Sequence, residues 1–161
     1  MLLKIEILPE KKFIGKHLET SLAENRTFEL WRNFMPFRKE IKDLTSNRLF
    51  SIQVFKKNLD FDLFNQNVVF EKWAAVEVNS FDQPMPEGMD RYVIKGGLYA
   101  VFIHKGAHTD FAKTFEYIFK SWLPGSGYML DGREHFEIME EGYSATDPNA
   151  EEEIWIPIKL K

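Results

Sequence analysis

The chain has 161 residues, 44% of them hydrophobic and 29% charged, which suits one domain with a substantial core and excludes a disordered or low-complexity chain. Cysteine is absent, so disulfides, thiolate metal sites and cysteine nucleophiles are excluded. The formal net charge is −4, with acidic residues gathered at Glu140, Glu141 and Glu151 to Glu153, which argues against the counterion-displacing contacts that nucleic-acid binding requires.

The opening MLLKIEILPEKK is broken by Lys4 and Glu6, and no later apolar run is long enough for a bilayer. Neither a signal peptide nor a membrane contact is expected, and the expected location is cytoplasmic. KIEIL and KFIGKHLE read as extended segments separated by Pro9. Ser21-Leu-Ala-Glu24 has the pattern of a capping box, predicting a helix that turns Phe28, Trp31, Phe34 and Met35 toward a core. That helix should run to about Ile41, kinked or ended by Pro36, which lacks an amide donor. LFSIQVF and KWAAVEV read as strands joined by a polar connection near Asn65 to Asn67, and Phe81 to Asp90 as a connector between halves.

RYVI and GLYAVFIH are extended around Gly96-Gly97, which shape a bulge or turn rather than a phosphate loop. Asp110 is placed to cap a helix whose apolar face is Phe111, Phe115, Ile118, Phe119 and Trp122, stopped by Pro124, Gly125 and Gly127. HFEIM and EIWIPIKL follow as strands. The two halves echo each other. LWRNFMP and IFKSWLP share an order of residue types 88 positions apart (Pro36 to Pro124), and EKWAAVEV and EIWIPIKL share another 82 apart (Trp73 to Trp155). Two matches in the same order predict a duplicated strand–helix–strand–strand unit, with halves of about 1–80 and 91–161 inside one domain.

Strand parity selects the candidate site. In EIWIPIKL, Ile154, Ile156, Ile158 and Leu160 point to the face a helix would cover, leaving Glu153 and Trp155 on the other. Glu71, Trp73 and Glu77 repeat this arrangement. A carboxylate among aromatic rings suits a hydrophobic cation: the rings supply cation–π attraction and the carboxylate supplies the countercharge. The alternative is a solvated acidic run at Glu153 with Trp155 covering an exposed sheet face. Aromatic residues reach 15%, enough both to fill a core and to line a pocket. His17, His104, His108 and His135 lack metal-ligand spacing, and no serine sits in a nucleophile elbow. Tyr117 lies opposite the apolar face of its helix, either exposed or turned to a second surface.

GGLYAVFIHKG, FEYIFKSWLPGSGY, HFEIMEEGY and EEEIWIPIK together resemble the GyrI-like effector-binding family, and SLAENRTFELWRNFMPFRKEI resembles its first helix. The resemblance covers nearly the whole chain. It implies an α+β fold: a tandem pseudo-twofold pair of strand–helix–strand–strand modules, with antiparallel sheets, helices on one face and a ligand cleft between the modules. It also implies a functional carboxylate on the last strand, here Glu153, and a cleft with Trp155, Tyr99, Tyr117 and Trp122 at matching positions. Trp31 and Trp73 join these from this sequence's own pattern. The expected function is binding of a small, hydrophobic, cationic molecule by a sensor or sequestering module, without a cofactor. Two alternatives follow from the resemblance: hydrolysis of strained cyclopropane electrophiles with Glu153 as the catalytic carboxylate, and a gyrase-inhibitor-like contact with a protein partner. The family's regulators carry a DNA-binding domain, but no helix-turn-helix fits within these two units, so direct nucleic-acid binding is not expected.

Overall fold

Alternation of apolar and polar residues, with β-branched and aromatic side chains, makes most of this chain strand. The structure, a computed structural model, describes residues 1–57, 59–144 and 146–161, with the side chain of His108 outside the description. Its strands are β1 (Leu2–Leu8), β2 (Lys11–Thr20), β3 (Leu49–Val54), β4 (Phe70–Val78), β5 (Asp90–Ile94), β6 (Gly97–Lys105), β7 (Tyr128–Leu130), β8 (His135–Met139) and β9 (Glu151–Leu160). The helices are α1 (Thr27–Phe34) and α2 (Phe111–Glu116). The fold is α+β: two helices and one antiparallel nine-strand sheet in the order β1-β6-β9-β8-β3-β4-β2-β5, with β7 beside β9.

Both helices cover the same sheet face, each over its own apolar core. Leu30 and Phe34 of α1 pack on Ile14, Ala74, Val76 and Val78. Ile118, just beyond α2, packs on Ala100, Phe102, Ile154, Ile156 and Ile158. The other face carries a third core that includes Phe13, Phe50, Trp73, Tyr99, Phe136 and Trp155.

Both helices differ from their predicted form. Ser21 Oγ does accept from Glu24 N at 3.0 Å, but this closes a turn, and the helix begins at Thr27. Only Leu30 and Phe34 of α1 are buried, while Phe28 is 77% exposed on the far side and Met35 is also exposed. Pro36 ends the α-helix by carrying the chain into a 3-10 segment, Met35–Glu40. Asp110 sits at the N-cap of α2 without a side-chain capping bond, and α2 widens into π turns over Tyr117–Trp122. The bond from Leu123 N to Ile118 O, 2.9 Å, has this wider spacing.

The register is regular about the β3–β8 pairing. Ile52 pairs with Phe136, then Ile52 with Trp73 and Phe136 with Trp155 on either side. One strand further out, Trp73 pairs with His17 and Trp155 with Val101. The isolated bridge Leu44–Val78 has its counterpart in the pair Tyr128–Leu160. β1 pairs with β6 and β5 with β2, so the two edge strands cross between the halves of the chain.

Arg133 locks one of these crossings. Its Nη1 donates to Gly96 O (3.2 Å), its Nη2 to Leu98 O (2.6 Å) and Ile158 O (3.1 Å), and its Nε to Asp131 (2.8 Å). The guanidinium also lies 4.7 Å from the Tyr99 ring centroid. Gly96 (φ 97°) and Gly97 (φ 129°) take left-handed backbone, and a Cβ on Gly97 would meet Arg133 Nη1 at 2.6 Å. Arg133→Met keeps the stem and removes four donated bonds to partly buried acceptors. It should cost about 2–4 kcal/mol in chemical denaturation, and Arg133→Lys should recover less than half, because a single ammonium cannot reproduce the fork. A loss below about 0.5 kcal/mol would mean that water replaces the guanidinium.

Candidate ligand site

The α1 core takes in only the first β3–β8 pair, Leu49 and Met139, and neither helix core includes the other residues that these two strands turn to the helix-bearing side. On the helix-bearing side β3 presents Ser51 and Gln53, and β8 presents His135 and Glu137, with the pairs Ser51–Glu137 and Gln53–His135. Lys72 of β4 pairs with Gln53, and Glu152 of β9 pairs with Met139. A polar strip therefore runs between the two helix-covered cores. Gln53 Nε2 donates to Ser51 Oγ (3.2 Å) and to Glu137 Oε1 (3.4 Å). The Tyr143 hydroxyl bonds to Glu152, which is buried.

Ionisation in this strip is strongly perturbed. Burial pushes Glu137 up to about 8, with Glu152 adding repulsion and Lys72 and Gln53 pulling the other way. Lys72 is held below its ordinary value, mainly by desolvation, against the attraction of Glu137 and Glu152. The Tyr143 hydroxyl is pushed up by burial and by its bond to Glu152. Yet Glu137 and Lys72 keep partial solvent access.

Aromatic rings stand at both ends of the strip. His135 stacks on Phe61 (5.4 Å) and meets Phe55 (5.0 Å) and Phe119 (6.5 Å). Burial pulls His135 down to about 3, so the ring is neutral, and its Nε2 has no hydrogen-bond partner among the described residues. Tyr143 and Trp31 both pack against the α1 core.

The seven residues singled out in the sequence do not meet in one place. Glu153, Trp155, Tyr99 and Trp73 share the helix-free face or its rim. Trp155 Nε1 donates to Glu153 (2.9 Å), and Trp73 Nε1 donates to Glu71, the same device on β4. Glu153 also faces Arg48 at 3.5 Å, so a countercharge is already present. Trp155 stacks on Phe136 at 5.2 Å and is itself buried. Tyr99 is buried too, donating to Glu134 O at 2.9 Å. Trp122 and Tyr117 sit across the sheet, edge-on to Phe102 at 5.1 and 6.4 Å. Trp31 lies on α1 in the other core. On the helix-free face, an open groove is lined by His17, Glu71, Trp73, Met85, Asp90 and Arg91. His104 is bonded to Thr114 Oγ1 (2.7 Å) and Ala107 O (3.1 Å), far along the sheet from His17 on β2.

Sequence reasoning missed Glu137, Glu152, Lys72 and Tyr143. A signal existed for Glu152: it continues the parity of Ile154, Ile156 and Ile158, and a carboxylate on a buried apolar row is costly unless it has work to do.

The chain belongs to the family described as the GyrI-like small molecule binding domain, which it matches over residues 1–159. It is 29% identical over 152 residues to the transcriptional regulator BrlR of Pseudomonas aeruginosa, covering 93% of this chain and 53% of BrlR. The chain thus spans about half the length of that curated relative. Its fold is similar to that of the EcmrR C-terminal domain (TM-score 0.72, 18% identity, 100% and 99% of the two chains). It is also similar to SAV2435 bound to tetraphenylphosphonium (TM-score 0.68, 17% identity, 97% and 93%). No helix among the described residues is long and apolar enough to cross a membrane.

The raised Glu137 makes a stability prediction. Its folded value of about 8 exceeds the ordinary 4.5, so holding it costs nothing below pH 4.5 and progressively more as pH rises toward 8. Glu137→Gln removes that cost. The variant should be more stable than the parent by about 1–3 kcal/mol at pH 8 and equal to it near pH 4.5. Parallel thermal melts across this range check the sign; a variant less stable at pH 8 would show that the carboxylate is paired rather than strained.

Proposed function

We propose that this domain binds a lipophilic aromatic cation between the two helices, with Glu137 and Glu152 as countercharge. The observation that carries the reading is Glu137, a carboxylate held largely protonated by burial, yet reachable from solvent. A cation arriving there stabilises the ionised form and recovers an interaction that burial had forfeited. Phe61, Phe119, Tyr143 and Trp31 supply rings at the ends of the strip. The matching registers on either side of the Ile52–Phe136 pair support two modules related by a pseudo-twofold axis through that pair, and the ligand would lie over the axis. That SAV2435 takes tetraphenylphosphonium supports the same ligand class here. Glu153 with Trp155 is the second candidate anchor, weakened by its existing contact with Arg48. The domain would serve a sensor or a sequestering protein.

The same pair supports a hydrolytic reading, because a protonated Glu137 beside Glu152 offers a general acid near a general base. Consumption of a strained cyclopropane electrophile above the buffer rate, lost in Glu137→Gln, would favour it.

For binding, tetraphenylphosphonium should be preferred over neutral triphenylphosphine oxide. Its affinity should rise up to about tenfold per pH unit from pH 6 and level off above pH 8, because binding expels the Glu137 proton. Glu137→Gln should flatten this profile and weaken cation binding about tenfold or more, whereas Glu153→Gln should leave it steep. Calorimetry across pH decides: a profile that Glu153→Gln flattens instead moves the anchor to the helix-free face.

A further inference from the structure

β1 ends the sheet with its outer backbone edge unpaired among the described strands. Such an edge is normally blunted, by charge, by proline, by a bulge or by a covering segment, and β1 has Lys4, Glu6 and one register shift against β6 between Leu2 and Lys4. Here Leu3, Ile5 and Ile7, three apolar side chains in alternate positions, are 56%, 38% and 77% exposed. Ile5 and Ile7 pair with Ala100 and Leu98, so they stand at the rim of the α2-covered core. The opposite end of the sheet is finished differently. Beside Ile14, where β1 has Ile7 beside Leu98, β5 carries Arg91, its guanidinium 5.4 Å over Phe81. Met89, next in that row, is buried under the same connector.

We infer that a second copy of this chain covers the β1 edge, joining two sheets through antiparallel β1–β1 pairing about a twofold axis at Ile5. The strand Leu2-Leu-Lys-Ile-Glu-Ile-Leu8 reads alike in both directions in chemical type. With Ile5 opposite Ile5 of the second copy, Lys4 meets Glu6 and Leu3 meets Ile7, in both directions. Apolar positions face apolar ones, and every charge faces its opposite. Within one chain Lys4 and Glu6 already lie 3.0 Å apart, so the charges that would meet their counterparts project side by side from one strand. A two-strand contact buries less than about 1,200 Å², so the dimer forms in the micromolar range or weaker.

Sedimentation velocity on the chain from about 5 to 500 μM, a range set by weak interfaces, at low salt tests this. The parent should show a concentration-dependent monomer–dimer equilibrium. Lys4→Glu and Glu6→Lys should each weaken it about tenfold, since both cross-strand contacts become repulsive. Mixed one to one, the two variants should recover a heterodimer of parental strength. One chain then presents carboxylates at both charged positions of the strand and the other presents ammonium groups at both, so each cross-strand contact is again attractive. Ile5→Lys, at the axis, should abolish association while leaving the melting temperature within a few degrees, and keeps the test standing should a charge variant fail to fold. A parent that stays monomeric throughout, a dimer that both charge variants retain, or a mixture that stays monomeric overturns the inference.

Discussion

Everything in this domain hangs on the short antiparallel pairing of β3 with β8. Five residue pairs, Leu49–Met139 to Gln53–His135, fuse two helix-covered cores into a single sheet. Backbone hydrogen bonds make the join, so it demands no particular side chains on the helix-bearing side. The helices reach only its ends: the α1 core takes in Leu49 and Met139 at one end, Phe119 beyond α2 stands by His135 at the other, and Ser51, Gln53 and Glu137 between them join neither core. Between the cores the helix-bearing side of the join is polar, and on the proposed function that is where a ligand site would cost the fold least.

The residues placed there are poor choices for stability. A carboxylate raised to about 8, a lysine held below its ordinary value and a neutral histidine whose Nε2 has no partner among the described residues are each expensive next to an apolar alternative. Stability elsewhere has to carry them. On the helix-free face, stacked and edge-on rings from Phe13, Phe50, Phe136, Tyr99 and Trp155 form a dense aromatic core. That core explains the high aromatic content better than a ring-lined pocket does: most of the rings pack on one another, and only a few border the polar strip.

The fold was largely legible because its determinants are local. Period-two alternation located the strands from β1 to β9, apart from the three residues of β7, and the Pro-Gly cluster after Trp122 marked the end of the second helix. The start of the second helix was legible at Asp110, but that of the first was not. Ser21 and Glu24 satisfy a capping pattern that the chain uses to close a turn, because Ala23 N is already bonded to Gln66 O in the neighbouring connection. The site was half legible. Parity separated Ile154 from Trp155, which the structure places on opposite faces. Which face would hold a ligand depends on what the helices leave uncovered, and that is tertiary information. Lys72, Gln53, Glu137 and Glu152 come from four strands whose order, β9-β8-β3-β4, no local pattern encodes.

The crossing of the edge strands gives the arrangement its rigidity and its asymmetry. Because β1 lies beside β6 and β5 beside β2, the cores cannot separate without stripping a strand from each. On the proposed function, a ligand over β3–β8 would be taken up by rearranging side chains and helices while the sheet stays whole. The two crossings are finished unequally: Arg133 threads between Gly96, Leu98 and Ile158 near the β1 end, whereas Phe81 and Met85 of the connector cover the β5 end. Both strands are outermost in the sheet, but the connector packs beside β5, while β1 keeps Leu3, Ile5 and Ile7 exposed. On the proposed duplication, identical modules would begin with identical edges, and the connector, which only one of them inherits, is what made the two different.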